Sequence, residues 1–347
     1  MATPIPAIDA DGHFMEHQDE IRPYLDDRWK GRETPLWPGG QPWDPDLRGR
    51  LGMPCGYSRK LKATEQVELW HRILDDYAIE KAVLFPTGSG SVAKNQELAF
   101  AAGVARAANR HFAHDYMTDR LFPVGVLPMR DPQAAAREVE YASNELGLKG
   151  FEVVPDGLPF ALGDPFFDPI YEAAESCGAT IGIHGTRAWA EDWGAAKLKT
   201  FAEVHCYAFP AGVICNFTSV VAQGIPKRFP KLKMGFLEIG ATWLPYYLDR
   251  LDEHWEKRAE EEMPLLDEKP SQVFRESSLK VSIEGKETLL RETIDFVGAE
   301  HLIYATDVPH WDGEFPENLE EIRAANNLSD GEKKALLHDN TEVLFSL

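Results

Sequence analysis

Five stretches of the chain end an apolar run on residues able to bind a metal or move a proton. The first is Ile8-Asp9-Ala10-Asp11-Gly12-His13, which follows the apolar start Ile5-Pro6-Ala7. In extended backbone, residues two apart point to the same side, so Asp11 and His13 converge on a common point. One carboxylate and one imidazole suit a divalent ion of the Zn or Mn type. The others are His184 in Ile183-His184-Gly185, Glu238 after Met234-Gly235-Phe236-Leu237, Glu284 after Val281-Ser282-Ile283, and Asp307 in Thr306-Asp307-Val308-Pro309-His310. Asp11, His13, His184 and Asp307 together supply two carboxylates and two imidazoles and leave a position open for water or substrate. Asp307, Glu238 and, more weakly, His205 are the candidates for acid and base work. Asp9 lies one pleat deeper than Asp11 and is assigned to the shell behind the ligands.

Such residues meet only if the elements carrying them are arranged in a ring or a sheet. From Thr64 onward, amphipathic helical segments alternate with short apolar runs: Lys81–Pro86, Leu121–Pro128, Lys149–Val154, Ala179–Ile183, Leu232–Leu237, Leu279–Ile283 and Leu302–Thr306. Among the helical segments, one is expected over about Val213–Arg228. With the opening run the apolar segments make eight strands, which predicts an α/β fold, a (β/α)8 TIM barrel over residues 1–347 with its chemistry at the C-terminal strand ends. A doubly wound sheet is the competing architecture. Residues 29–62, rich in Pro, Gly, Trp and Arg, are expected to form a lid insertion after the first strand. Within it Trp43 is a candidate substrate contact.

Three motifs carry a family resemblance: Asp-x-His after the first strand, Ile-His-Gly after the fifth, and Thr-Asp-x-Pro-His after the eighth. Together they resemble the amidohydrolase superfamily, and more closely its amidohydrolase 2 branch of aminocarboxymuconate-semialdehyde decarboxylase-like enzymes. The segment Arg228-Phe229-Pro230-Lys231-Leu232-Lys233 is also similar to that branch. The resemblance implies that His13, His184 and Asp307 bind one metal ion, with Asp11 where members carry His or Glu. It implies that His310 orients a ligand from behind. It implies that Arg250 or Arg258 contacts a substrate carboxylate, sometimes across a dimer interface, and that the protein is a homodimer. Arg187, close behind His184, is a further candidate for holding a substrate anion in a bidentate pair.

One position departs from the family pattern. Decarboxylases of this branch carry His-x-Gly after the sixth strand, where this chain has Glu238-Ile239-Gly240. A carboxylate there repels a carboxylate substrate unless protonated, yet serves well as a base toward metal-bound water. The first expectation is therefore a metal-dependent hydrolase of a small, carboxylated ring or enol substrate. Non-oxidative decarboxylation on the same metal is the alternative, and a non-catalytic barrel used for binding is the third reading. Zn2+ is expected first, with Mn2+ and Fe2+ also suited to the ligand set.

Composition bounds the partners. The formal charge of −21 at pH 7 argues against nucleic acid and anionic membranes. No apolar stretch is expected to reach a membrane span, and the N-terminus does not read as a secretory signal. The four cysteines form no CxxC pair, which points to a reduced, cytoplasmic protein. Walker A, GxGxxG, GxSxG and HExxH patterns are absent.

Overall fold

The computed structural model describes residues 4–37, 61–185, 193–284, 286–310 and 312–347. Its strands are β1 (Ala7–Phe14), β2 (Ile79–Pro86), β3 (Leu121–Pro123), β4 (Gly125–Val126), β5 (Gly150–Val153), β6 (Thr180–Ile183), β7 (Lys233–Phe236), β8 (Leu279–Ile283) and β9 (Leu302–Tyr304). Every pairing is parallel, in the orders β1-β2-β3 and β4-β5-β6-β7-β8-β9. Parallel strands are covered on both faces, which is why these segments read as apolar runs rather than alternating ones.

The expected third strand, Leu121–Pro128, is divided at Val124. The break is only formal, because the Val124 N–H donates to the Leu84 carbonyl at 2.8 Å and keeps the segment on β2. At the other seam, the Asp307 N–H donates to the Asp11 carbonyl at 2.9 Å, and the His13 N–H donates to the Val308 carbonyl at 2.8 Å. Those two bonds bring the segment after β9 against β1. The protein is a TIM barrel.

Asp9 strengthens the same seam. Its buried carboxylate accepts from the Thr306 N–H at 2.9 Å, the Thr306 hydroxyl at 2.6 Å and the Asp11 N–H at 3.1 Å.

Helices cover the outside of the barrel. Ala63–Tyr77 buries Leu69, Trp70, Ile73 and Leu74, the three-and-four spacing of one helical face. The lumen is filled by Ala10, Val83, Phe85, Val124, Leu237 and Ile303, with Leu344 and Phe345 of the last helix packed among them. The Thr180 hydroxyl at the start of β6 donates to the Leu344 carbonyl at 2.5 Å. The chain's own C-terminus thus closes the N-terminal end of the barrel and leaves the opposite end for a site. Gly182 keeps the lumen passable for the Phe85 ring, since a Cβ at Gly182 would come within 2.6 Å of Phe85 Cε1.

Two expectations change here. The helix placed at Val213–Arg228 instead spans Phe201–Ala222, with a separate turn at Ile225–Arg228. The Thr200 hydroxyl caps its start by accepting from the Glu203 N–H at 3.2 Å, while Glu203 Oε2 accepts from the Thr200 N–H at 2.7 Å. Within it, Ala202–Ala222 is long and apolar enough, by length and composition alone, to cross a membrane, contrary to the sequence reading. It packs Val213, Phe217, Val220 and Val221 into the core of this fold, as apolar core helices do. Most of the expected lid, residues 38–60 including Trp43, lies outside the described residues. Of the rest, Trp37 is buried.

Replacing Asp9 with Ala strands the Thr306 N–H and hydroxyl in the barrel wall. The expected loss is about 3 kcal/mol of unfolding free energy at unchanged m-value in urea. A loss below ~0.5 kcal/mol would show that the seam does not depend on this carboxylate.

Candidate metal centre

Asp11 and His13 stand inside β1 rather than beyond its end, and both side chains are fully buried. The ring of His184 follows β6, and the carboxylates of Glu238 and Asp307 follow β7 and β9. Glu238 and Asp307 both adopt left-handed backbone, with φ of +68° and +53°. That conformation is unfavourable for residues with a Cβ and is retained mainly where a site needs a side chain re-aimed. The loop holding Glu238 is pinned: its N–H donates to Ser282 Oγ at 3.0 Å, and Glu287 Oε2 accepts from the Ala241 and Thr242 N–H groups, each at 2.8 Å.

These side chains meet. His13 Nε2 lies 3.2 Å from Asp307 Oδ1 and 3.5 Å from Asp11 Oδ1, and Asp11 Oδ1 lies 3.4 Å from His184 Nε2. Four donors about 2.1 Å from one ion are separated from their neighbours by roughly 3.4 Å. The observed edges match that spacing. The donor atoms fall into two overlapping sets that share His13, one with Asp11 and His184, the other with Glu238, Asp307 and His310.

The donors also fit a cation chemically. Both carboxylate oxygens of Asp11, His184 Nε2, Glu238 Oε2 and Asp307 Oδ1 are buried and make no hydrogen bond of good geometry among the described residues. His184 Nδ1 is 3.0 Å from the Gly185 carbonyl, so a proton on Nδ1 donates there and leaves the Nε2 lone pair facing Asp11. Orphaned acceptors gathered around imidazoles are what a divalent ion satisfies.

The electrostatics point the same way. Burial pushes Glu238 up to about 8, partly opposed by His184. Burial and the neighbouring His310 lower His13 to about 4. Burial also disfavours a charged His184, but Glu238 and Asp11 outweigh it and hold its pKa well above the usual value. His310 follows the same balance through Asp307 and Glu238. Asp307, which burial alone would raise, is held well below the usual carboxylate range by His310 and His13. Three carboxylates with buried oxygens here demand positive charge, and a metal ion and protons compete to supply it.

His310 sits closer in than a purely supporting role requires. Its Nδ1 lies 2.6 Å from Asp307 Oδ1 and 3.2 Å from Glu238 Oε1, and its ring lies 4.0 Å from that of His13. His205 reaches only the rim: it stacks on Phe209 at 4.2 Å and lies 3.5 Å from Asp312. Phe209 and Glu238 flank Gly185, so His205 is one ring removed from the centre. The two helical arginines do not join the site within this chain. Arg250 is exposed on the outer face of Leu244–Glu262, and Arg258 pairs with Glu261 and Glu262 of its own helix. Both follow the charge periodicity of a solvated helix. Arg187 lies outside the described residues.

Sequence reasoning missed a second group beside the centre. Glu152 on β5, Lys94 after β2 and Asp156 after β5 are all buried. A carboxylate within the apolar run Phe151-Glu152-Val153-Val154 was the available signal. Glu16 has a structural task instead, accepting from the N–H groups of Thr87, Gly88 and Ser89.

Residues 8–347 match the model of the amidohydrolase family. Among curated proteins, the chain is 25% identical over 276 residues to the 2-amino-3-carboxymuconate-6-semialdehyde decarboxylase of Dictyostelium discoideum, covering 79% of this chain and 74% of that protein. It is 22% identical over 290 residues to a gamma-resorcylate decarboxylase of Rhizobium sp. (strain MTP-10005), covering 80% and 86%. Among solved structures, it resembles a dihydroxybenzoic acid decarboxylase from Polaromonas sp. JS666 with bound manganese and the inhibitor 2-nitroresorcinol. That match has a TM-score of 0.73 and 20% identity and covers 99% and 97% of the two chains.

Purified protein is expected to carry near-stoichiometric divalent metal by elemental analysis. Asp11→Ala and His184→Ala should each fall below roughly a tenth of that content while remaining folded by circular dichroism. Full metal retention in both variants would remove these two residues from the ligand set.

Proposed function

The chain belongs to the amidohydrolase family, and from that premise we propose that it is a metal-dependent, non-oxidative decarboxylase of a small aromatic or enol carboxylic acid. The observation that carries this reading is the buried cluster Asp11, His13, His184 and Asp307 at the open end of a barrel whose curated relatives are decarboxylases. Those relatives favour the decarboxylase alternative over the hydrolase reading that Glu238 suggested.

A divalent ion bound by these four side chains would supply Lewis-acid polarisation and an anchor for the substrate carboxylate. Zn2+, Mn2+ and Fe2+ all suit two carboxylates and two imidazoles, and the manganese of the Polaromonas protein supports testing Mn2+ beside Zn2+. The remaining chemistry falls to the chain. His310 carries a proton at the edge of the cluster, its Nδ1 2.6 Å from Asp307 and 3.2 Å from Glu238. That proton is delivered to the carbon bearing the carboxylate. A π electron pair of the ring or enol forms the new C–H bond; the bond from that carbon to the carboxylate then breaks, its electron pair restores the π system, and CO2 leaves. Water returns the proton to His310, so the balance is one carboxylate and one proton in, one C–H bond and CO2 out.

Glu238 fits this scheme as the neighbour of His310 and His184, with its Oε1 3.2 Å from His310 Nδ1 and its Oε2 3.3 Å from His184 Nδ1. His205 belongs to the rim of the same mouth. The one-domain organisation, the lid role of residues 29–62, the homodimer and the cytoplasmic location belong to this proposal as well.

Metal-loaded protein incubated with candidate aromatic acids in D2O should release CO2 and carry one deuterium at the vacated carbon. Asp307→Asn should lower kcat by on the order of a thousandfold while keeping its fold. Incorporation of 18O from water into a product acid, without CO2, would return the protein to the hydrolases.

A further inference from the structure

Glu152 is paired in register with Gly182, and Val153 with Ile183. Paired residues of adjacent parallel strands point to the same side. Gly182 faces the lumen, because its missing Cβ is where Phe85 packs. Glu152 therefore faces the lumen too, one residue pair below His184, whose ring lies 5.4 Å from that of Phe85. The carboxyl is buried, and its Oε2 has no hydrogen-bond partner among the described residues. A buried, unsatisfied carboxyl oxygen costs about 1–3 kcal/mol and is rarely retained without a use.

The surroundings are built to keep this group. Gly90, in the turn Ser89–Lys94 after β2, has no side chain where a Cβ would overlap Oε2 of Glu152. Beside it, Lys94 and Asp156 form a buried pair at 4.0 Å, and the stem of Lys94 runs along Gly157. Asp156 Oδ1 in turn accepts from Trp193 Nε1 at 2.6 Å. Burial pushes the Glu152 carboxyl up to about 8, and it lies within electrostatic reach of His184, Glu16, Asp11 and Lys94.

We propose that Glu152 determines substrate specificity by hydrogen-bonding a ring oxygen substituent, a hydroxyl or its equivalent, remote from the carboxylate held at the metal centre. The proposal rests on the decarboxylase reading for its substrate class, but its test requires no turnover. Glu152 is a positioning residue of the pocket, and the bond it makes orients the ring so that the carbon bearing the carboxylate faces Asp307. The neighbouring Lys94–Asp156 pair holds the wall in which the oxygen is received.

The test compares binding of benzoate, 3-hydroxybenzoate and 4-hydroxybenzoate to manganese-loaded full-length protein by calorimetry. Wild type should bind at least one hydroxybenzoate about tenfold more tightly than benzoate, the contribution of one hydrogen bond. Glu152→Leu, close in shape but without polar atoms, should lose that preference while keeping its manganese content and its affinity for benzoate. Glu152→Gln, which keeps a donor and an acceptor, should restore the preference. No hydroxyl preference in wild type, a preference that survives in Glu152→Leu, or equal weakening of all three acids with loss of manganese would each overturn the proposal. Failure of the decarboxylase reading has a different signature: no CO2 from any acid while the Glu152-dependent preference persists.

Discussion

Three carboxylates, Asp11, Glu238 and Asp307, each with a buried oxygen, lie within reach of the same imidazole, and the structure depends on how their charge is balanced. His13 Nε2 lies within 3.8 Å of an oxygen of each. Like charges at such distances in a low-dielectric interior are mutually unfavourable by several kcal/mol. Protons on the histidines relieve part of this, and a divalent ion relieves more. The barrel then has two tasks: it brings carboxylates together from strands far apart in sequence, and it leaves their oxygens unsatisfied enough to bind a cation.

The bonds that close the barrel and the donors that form the centre share residues. The Asp11 carbonyl and the His13 N–H join β1 to the segment after β9, while their side chains face the cluster. Asp9, one pleat below, ties Thr306 into the same seam. Stability and ligand placement are thereby coupled at one junction, where the first strand meets the last. The left-handed backbone at Glu238 and Asp307 is local strain that this packing holds in place.

Much of this was legible in the sequence, for physical reasons. Buried parallel strands must be apolar, so their ends show as abrupt changes to Asp, His and Glu at Asp11, His184, Glu238 and Asp307. The period of two placed Asp11 and His13 on one side. Distance along a helix was less informative: Arg250 and Arg258 have the right residue type, but the helix turns them outward, and only three-dimensional packing decides which face is covered. The start of the helix at Phe201 was missed because its apolar composition hides a 3.6-residue period; the Thr200 and Glu203 caps were the better signal. Glu152 escaped notice because a strand interior was read as core throughout, although a carboxylate among Phe151, Val153 and Val154 was visible from the beginning. Trp43 and Arg187 lie outside the described residues.

The central claim is that donors from β1, from the end of β6 and from the segment after β9 surround one ion. Anomalous scattering from crystals of the metal-loaded protein, recorded on both sides of the metal's absorption edge, tests it most directly. The account predicts a single strong peak about 2.0–2.3 Å from side-chain donors of Asp11, His13, His184 and Asp307. A metal peak elsewhere, or one that leaves out either Asp11 and His184 or Asp307, would contradict it.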